Sequence, residues 1–246
     1  MSTYAVDGKK PVAAWIPSRD NTGNGTTTLT DLVGENNGTI LGMTPETAWV
    51  KDSAAGGIRA LRFSGGDDRV QHGPGPVVGT GDFSVSVWFY RDTESISNLR
   101  VFSTGADTNT EAGYALAVTD EIVRLFLSDG VTRILGSGSA ITNQAWQHVV
   151  AVISDGVFSM FVNGVAYETY SIASLGNIDN TRNFVIGQRG VAGGAWQGRM
   201  DDLRIWNIAL TLNDVGELYA NGNGRGLVGN SPTRRRRMMM MQRGGL

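Results

Sequence analysis

Along most of the chain apolar and polar residues alternate at period two, the pattern of strands with one buried face. The stretch DFSVSVWFY is the clearest case: Phe83, Val85, Val87 and Phe89 share one side, while Ser84, Ser86, Trp88 and Tyr90 share the other. The first side is expected in a core, and the second partly exposed or covered by another layer. Asp129-Gly130, Asp155-Gly156 and Asn163-Gly164 punctuate the middle of the chain. Such dipeptides favour tight hairpins because both central positions need positive φ. The flanking apolar runs predict successive antiparallel strands over about 122–128, 131–135, 146–154, 157–162 and 165–170. Further on, RMDDLRIW reads as a strand and TLNDVGELYANG carries helix signals. Thr211 stands as N-cap with Asp214 three residues on; Leu212, Val215, Leu218 and Tyr219 fall on one face, and Asn-Gly follows as a stop. These elements predict an all-β fold: two packed antiparallel sheets capped by one short C-terminal helix.

Composition agrees. A chain of 246 residues with 34 glycines, 8% aromatics and only 18% charged residues suits one large β domain with many tight turns, not a helical bundle. There is no cysteine, which excludes a disulfide framework and a thiolate metal site. No run approaches the roughly 18 consecutive apolar residues of a membrane-spanning helix. The opening MSTYAVDGKKPVAAWIP lacks the basic start, apolar region and cleavage site of a secretory signal peptide. A protein of this kind acting outside a cell is expected to arrive by lysis or by assembly into a particle.

Charge adds an asymmetry. After Asn230 the chain carries Arg234, Arg235, Arg236, Arg237 and Arg243 with no acid, so a formal net charge of −2 leaves −7 on the rest. The arginines are drawn to phosphate, acidic protein or anionic lipid, and Met238, Met239, Met240 and Met241 suit an irregular apolar groove. Residues 234–241 are therefore expected to make an assembly contact with a partner or a sister subunit. A short basic tail on an acidic body gives only salt-sensitive attraction to nucleic acid, so no specific nucleic-acid partner is expected.

The ordered segments VAAWIPSRDNTGNGTTTLTDLVGENNGTILG, ALRFSGGDDRV, FSVSVWFY, WQHVVAVISDGVFSMFVNGV, FVIGQ and GRMDDLRIWNIALTLNDVGELY resemble the laminin-G-like, concanavalin A-like jelly rolls, especially bacterial and viral forms. The resemblance covers residues 11–222, between an N-terminal arm (1–10) and a Gly/Arg/Met-rich tail (223–246). It implies a two-sheet antiparallel jelly-roll sandwich whose relatives bind glycans, proteins or particle surfaces, and which have occasionally become glycosidases.

The candidate chemistry is sparse. Glucanases of this architecture carry Glu-x-Asp-x-x-Glu on one strand, and none of the glutamates at 35, 46, 94, 111, 121, 168 and 217 begins that pattern. No catalytic residue is assigned, and the chain is expected not to be an enzyme. His72 and His148 are expected as packed residues and not as bases. No cofactor is expected, and calcium is the one ion the acidic pairs Asp67-Asp68 and Asp201-Asp202 would suit. Adjacent strand residues point to opposite faces, so each pair offers one carboxylate to a site unless the backbone bends. In the similar calcium-binding pentraxins acidic ligands follow a Gly-Gln; here Arg189 follows Gly187-Gln188, so that site is expected to be lost. A glycan platform needs an exposed ring beside polar groups, for which Trp196, Trp88 and Tyr90 are candidates, with Asp67 and Asp68 expected near the ligand, although six tryptophans in one β domain must mostly be buried.

Two functions are thus expected in order. The first is a non-enzymatic structural or adhesion module of an assembled particle, a bacteriophage virion protein such as a capsid decoration or fibre-associated subunit. It would present its loops outward, dock through its terminal arms and reside in the virion. The second is a lectin-like module binding a cell-surface glycan, with calcium assisting. A glycoside hydrolase comes last.

Overall fold

The computed structural model describes residues 4–20, 26–52, 59–92, 98–106, 110–189 and 194–220. In it the alternation becomes two antiparallel sheets. The first runs edge to edge as β14 (Val165–Ser171), β13 (Val157–Val162), β12 (Trp146–Ser154), β7 (Phe83–Arg91), β16 (Gln197–Trp206), β5 (Ala60–Ser64) and β4 (Trp49–Val50), with β1 (Ala13–Trp15) also paired to β16. The second runs as β11 (Arg133–Ala140), β10 (Ile122–Asp129), β9 (Ala112–Thr119), β8 (Leu99–Ser103), β15 (Asn183–Ile186), β6 (Arg69–Pro74), β3 (Gly38–Leu41) and β2 (Thr28–Leu29). Two helices, α1 (Pro45–Ala48) and α2 (Leu212–Tyr219), complete the described elements. The predicted jelly-roll sandwich is thereby observed, and the unpredicted α1 is a single turn begun by Pro45.

The core lies between the sheets. Phe83, Val85, Val87 and Phe89 of β7 meet Tyr114, Leu116 and Val118 of β9 and Val123, Leu125 and Leu127 of β10, all buried. Each fully buried aliphatic or phenyl group contributes about 1.5–3 kcal/mol, which is how a cysteine-free chain holds two sheets together.

Two of the three expected turns form as predicted, with positive φ at Asp155 and Gly156 (50° and 71°) and at Asn163 and Gly164 (52° and 78°). The third differs. Only Gly130 has positive φ, and the Asp129 carboxylate accepts the N–H groups of Val131, Thr132 and Gly176. That carboxylate holds the turn open, so β11 starts at Arg133 and not at 131, and continues to Ala140. Within it Gly136 and Gly138 allow close packing, since a Cβ there would strike Phe158 or Met160 across the core.

The outer face of the first sheet is also covered. Val150, Val152, Phe161 and Trp206 pack beneath Val215 and Leu218 of α2, and Val6 and Leu210 join them. Leu212, predicted on the same helical face, is instead 72% exposed. It sits beside the N-cap at the margin of the stripe, and the buried Asp214 takes the inner position. Asp214 is held there by the capping box: Thr211 donates its N–H and hydroxyl to the carboxylate, each at 2.7 Å, and the Asp214 N–H donates to the Thr211 hydroxyl. Lys9 Nζ donates to the same carboxylate at 2.7 Å, the Trp206 indole N–H donates to the Lys9 carbonyl, and Arg204 donates to the Tyr4 carbonyl. Residues 4–10, expected as an arm for neighbouring subunits, therefore strap onto their own sheet and helix. The expected assembly residues 234–241 lie outside the described residues.

Both histidines are packed. His72 packs in a three-ring cluster with Trp15 (5.1 Å) and Phe184 (5.0 Å), and burial lowers its pKa to about 4 against a partial offset from Asp31. His148 stacks on Trp88 at 4.8 Å and shares a hydrogen bond with the Ser86 hydroxyl. Burial, then Arg204, lowers its pKa to about 3.

Two outcomes follow for stability. The unfolded chain takes up protons on both imidazoles as pH falls through 6.5 while the folded chain does not. Stability should thus drop by about 2 kcal/mol per imidazole between neutral pH and about pH 5. Urea unfolding across that range measures the drop, and it should flatten when His72 and His148 are both replaced by phenylalanine. Asp214→Ala takes from Lys9 its 2.7 Å partner, leaving it only Asp7 at 3.9 Å, and removes the carboxylate half of the capping box, at a cost of about 2–3 kcal/mol. Although burial opposes ionisation of Asp214, its bonds from Lys9 and Thr211 hold its pKa below the usual carboxylate range. This contribution is present above about pH 4 and is lost only as pH falls through the depressed value.

Candidate functional site

Beyond the end of α2 the outer face of the first sheet is no longer roofed by that helix. The strand register aligns four residues across it: Trp146 opposite Tyr90, Tyr90 opposite Arg199, and Arg199 opposite Arg62. Directly opposed residues of neighbouring strands share a face, so the four form one row perpendicular to the strands. The Trp146 and Tyr90 rings meet edge to face at 5.9 Å, and the Arg199 guanidinium lies over the Tyr90 ring at 4.3 Å. Arg199 is paired with Asp52 at 2.6 Å and with Asp92 at 3.5 Å, and Arg62 reaches Asp92 at 3.9 Å. Their side chains remain accessible, from 21% for Arg199 to 52% for Arg62.

The local chain makes this arrangement possible at two points. Gly198 has φ of 147°, and a Cβ there would collide with the Tyr90 carbonyl. Only glycine lets β16 approach β7 closely enough to set Arg199 on Tyr90. The Asp92 N–H donates to the Gln197 carbonyl, which places the carboxylate between the two arginines. At the Arg62 end the row opens into a recess of about 390 Å³ lined by Gly42, Met43, Thr44, Thr47, Arg62, Ser64 and Asp68. Beside its aromatic half, two residues along β7 and β12, Trp88, His148 and Tyr219 form a mutual cluster, with Trp146 packed against Trp88.

Among the residues expected to bind, Tyr90 is in the row. Trp196 is not: it is 0% exposed, its N–H donates to the Gly187 carbonyl, and its ring packs edge-on against Phe89 in the core at 5.2 Å. Buried in this way, it leaves no ring face for a sugar. Trp88 is likewise buried, under Tyr219. Asp67 is exposed on the β5–β6 turn, while Asp68 is buried and accepts the N–H and hydroxyl of Ser64. Asp201 and Asp202 occupy a bulge, with φ of 52° at Asp202. Asp201 accepts the Ser18 hydroxyl, and Asp202 holds the Arg204 guanidinium through both oxygens. Calcium therefore does not fit these pairs: they are split between a turn and a bulge, and three of the four carboxylates already serve internal donors. Among the described residues no three acidic or imidazole groups gather as metal ligands.

Trp146, Arg62, Arg199, Asp52 and Asp92 were not anticipated. Trp146 had a signal, since it alternates out of phase with the core residues of β12, but the two arginines become meaningful only once cross-strand partners are known.

With this geometry in view, the chain can be placed. Residues 64–216 match the concanavalin A-like lectin/glucanases superfamily, and the chain belongs to that family. In fold it is similar to the botulinum neurotoxin serotype D binding domain (12% identity, TM-score 0.66, covering 85% of this chain and 51% of that one) and to the binding domain of Paraclostridial Mosquitocidal Protein 1 (16%, 0.64, 85% and 51%). It is also similar to the serotype D ligand binding domain in complex with N-acetylneuraminic acid (13%, 0.62, 85% and 50%). The chain spans about half the length of these structures, and at this identity the likeness is one of fold. No curated protein matches the sequence.

The glycine that seats the row gives a direct check. Gly198→Ala should cost about 2–4 kcal/mol in urea unfolding, because the backbone clash cannot be relieved by a side-chain rotation.

Proposed function

We propose that the chain is a non-enzymatic, lectin-like module that binds glycan on the outer face of its first sheet. The observation that carries this is the row of Trp146, Tyr90, Arg199 and Arg62, which sets accessible aromatic surface beside ion-paired guanidinium and carboxylate groups. Ring surface packs against the apolar C–H faces of a sugar, and flanking charged groups fix its hydroxyls by directional hydrogen bonds. The fold supports the reading, since the family includes lectins, and the similar solved structures are binding domains. No acid pair of the row is set on one strand in the glucanase pattern, which supports binding without turnover.

A glycan array probed with the full chain tests the proposal. Binding is expected, with Trp146→Ala and Tyr90→Ala each weakening the strongest signal by about tenfold or more. Chelation of calcium should leave it unchanged. An array without a signal, or a signal indifferent to both substitutions, overturns the reading.

A second reading concerns attachment. The basic and methionine-rich residues 234–241 favour docking of the module onto an assembled particle, a phage virion among them. It is supported by sequence only. Light scattering of the full chain beside a form ending at Asn230 tests the self-association part: assembly of the intact chain alone is the expected result, and two monomers would argue against it.

A further inference from the structure

We infer that the ligand of this surface is an extended, uncharged oligosaccharide lying across the strands, with its far end in the recess beside α1. The inference rests on the glycan-binding reading and adds the direction, length and charge of the ligand.

Direction and length come from the register. Trp146, Tyr90, Arg199 and Arg62 stand on four adjacent strands, and neighbouring strands are about 4.8 Å apart, so the row spans about 14 Å before the recess begins. Arg62 belongs to both the row and the recess, which makes the two continuous. A single sugar unit would cover only part of this path. Its ends also differ in chemistry. The Trp146 and Tyr90 end offers ring surface for C–H contacts. The recess end offers hydroxyls and one thioether: the Thr44 and Thr47 hydroxyls bond each other at 3.0 Å, the Ser64 hydroxyl donates to Asp68, and Met43 provides an apolar wall. Each hydroxyl can take part in further hydrogen bonds after its present one, so the recess retains capacity for ligand hydroxyls.

Charge comes from the pairing. Arg62 and Arg199 are matched by Asp52 and Asp92, so the row has no net charge, and Asp68 lies in the recess. A sugar hydroxyl can donate to a carboxylate and accept from a guanidinium without breaking such pairs. A carboxylate or sulfate on the ligand would compete with Asp52 and Asp92 for these arginines and would itself face those acids as like charges. The surface thus selects against acidic chains by the same carboxylates that order its donors.

The test is titration calorimetry of the full chain with neutral gluco-, xylo- and manno-oligosaccharides of one to six units, beside oligogalacturonates of equal length. For at least one neutral series, affinity should rise by about tenfold or more from two units to four, and the matched oligogalacturonate should bind about tenfold more weakly. Thr47→Val and Arg62→Met, both on exposed side chains, should weaken binding by a factor that grows with ligand length. Trp146→Ala should weaken every length. Unchanged melting temperatures check that the variants are folded. An affinity independent of length overturns the extended site and leaves the glycan reading standing, as does loss on Thr47→Val that is equal at all lengths. Tighter binding of oligogalacturonate overturns the uncharged class alone. No binding of any series, together with a blank array, overturns both readings.

Discussion

Strand β7 is the constraint on which the rest depends. It is hydrogen-bonded to β12 on one edge and β16 on the other, and both of its faces are used. Its inward residues supply the middle of the sandwich core. Its outward residues meet three successive environments: Ser84 accepts the Leu210 N–H and donates to the Ile208 carbonyl beside the start of α2, Trp88 is covered by Tyr219 at the end of α2, and Tyr90 remains accessible. A shift of one residue in its register would turn Phe83, Val85, Val87 and Phe89 outward, so burial fixes the register and the register fixes the row.

The cover over the outer face explains why the row becomes accessible only past the end of α2. Helix α2 is short, and a helix of this length has little stability by itself. It is secured by its capping box, by Val215 and Leu218 against the sheet, and by Lys9 from the other end of the described chain. Residues 4–10 and 211–219 thus act as one unit although they are far apart in sequence. Because α2 ends at Tyr219, its shelter stops at the Trp88 and His148 stack, and Trp146 and Tyr90 lie just past it.

Acidic residues divide into two kinds by surroundings. Asp31, Asp68, Asp201, Asp202 and Asp214 are buried and satisfied by backbone or side-chain donors; Asp31 alone accepts N–H groups from Ala14, Val33, Gly34 and Asn36. These shape turns, bulges and caps. Asp52 and Asp92 instead hold partly exposed arginines in place, an arrangement that does little for stability but orients donors and acceptors toward solvent. Burial and not acidity decides which carboxylates can meet a ligand.

The amino-acid sequence by itself determined the sandwich, most of its hairpins and its capped helix, because these depend on local rules: period-two burial, positive φ at Asn-Gly and Asp-Gly, and a side chain reaching three residues along. It also marked Tyr90. It misplaced Trp196, Leu212 and the start of β11, where a turn carboxylate or a neighbouring element outweighed local preference. The site row needed the tertiary structure. Arg62, Tyr90, Trp146 and Arg199 are spread over much of the chain, and whether an exposed arginine has a carboxylate beside it or a ring beneath it is set by which strands pair and in what register. That register minimises exposed apolar area over the whole sandwich, a global balance that no local window of sequence contains.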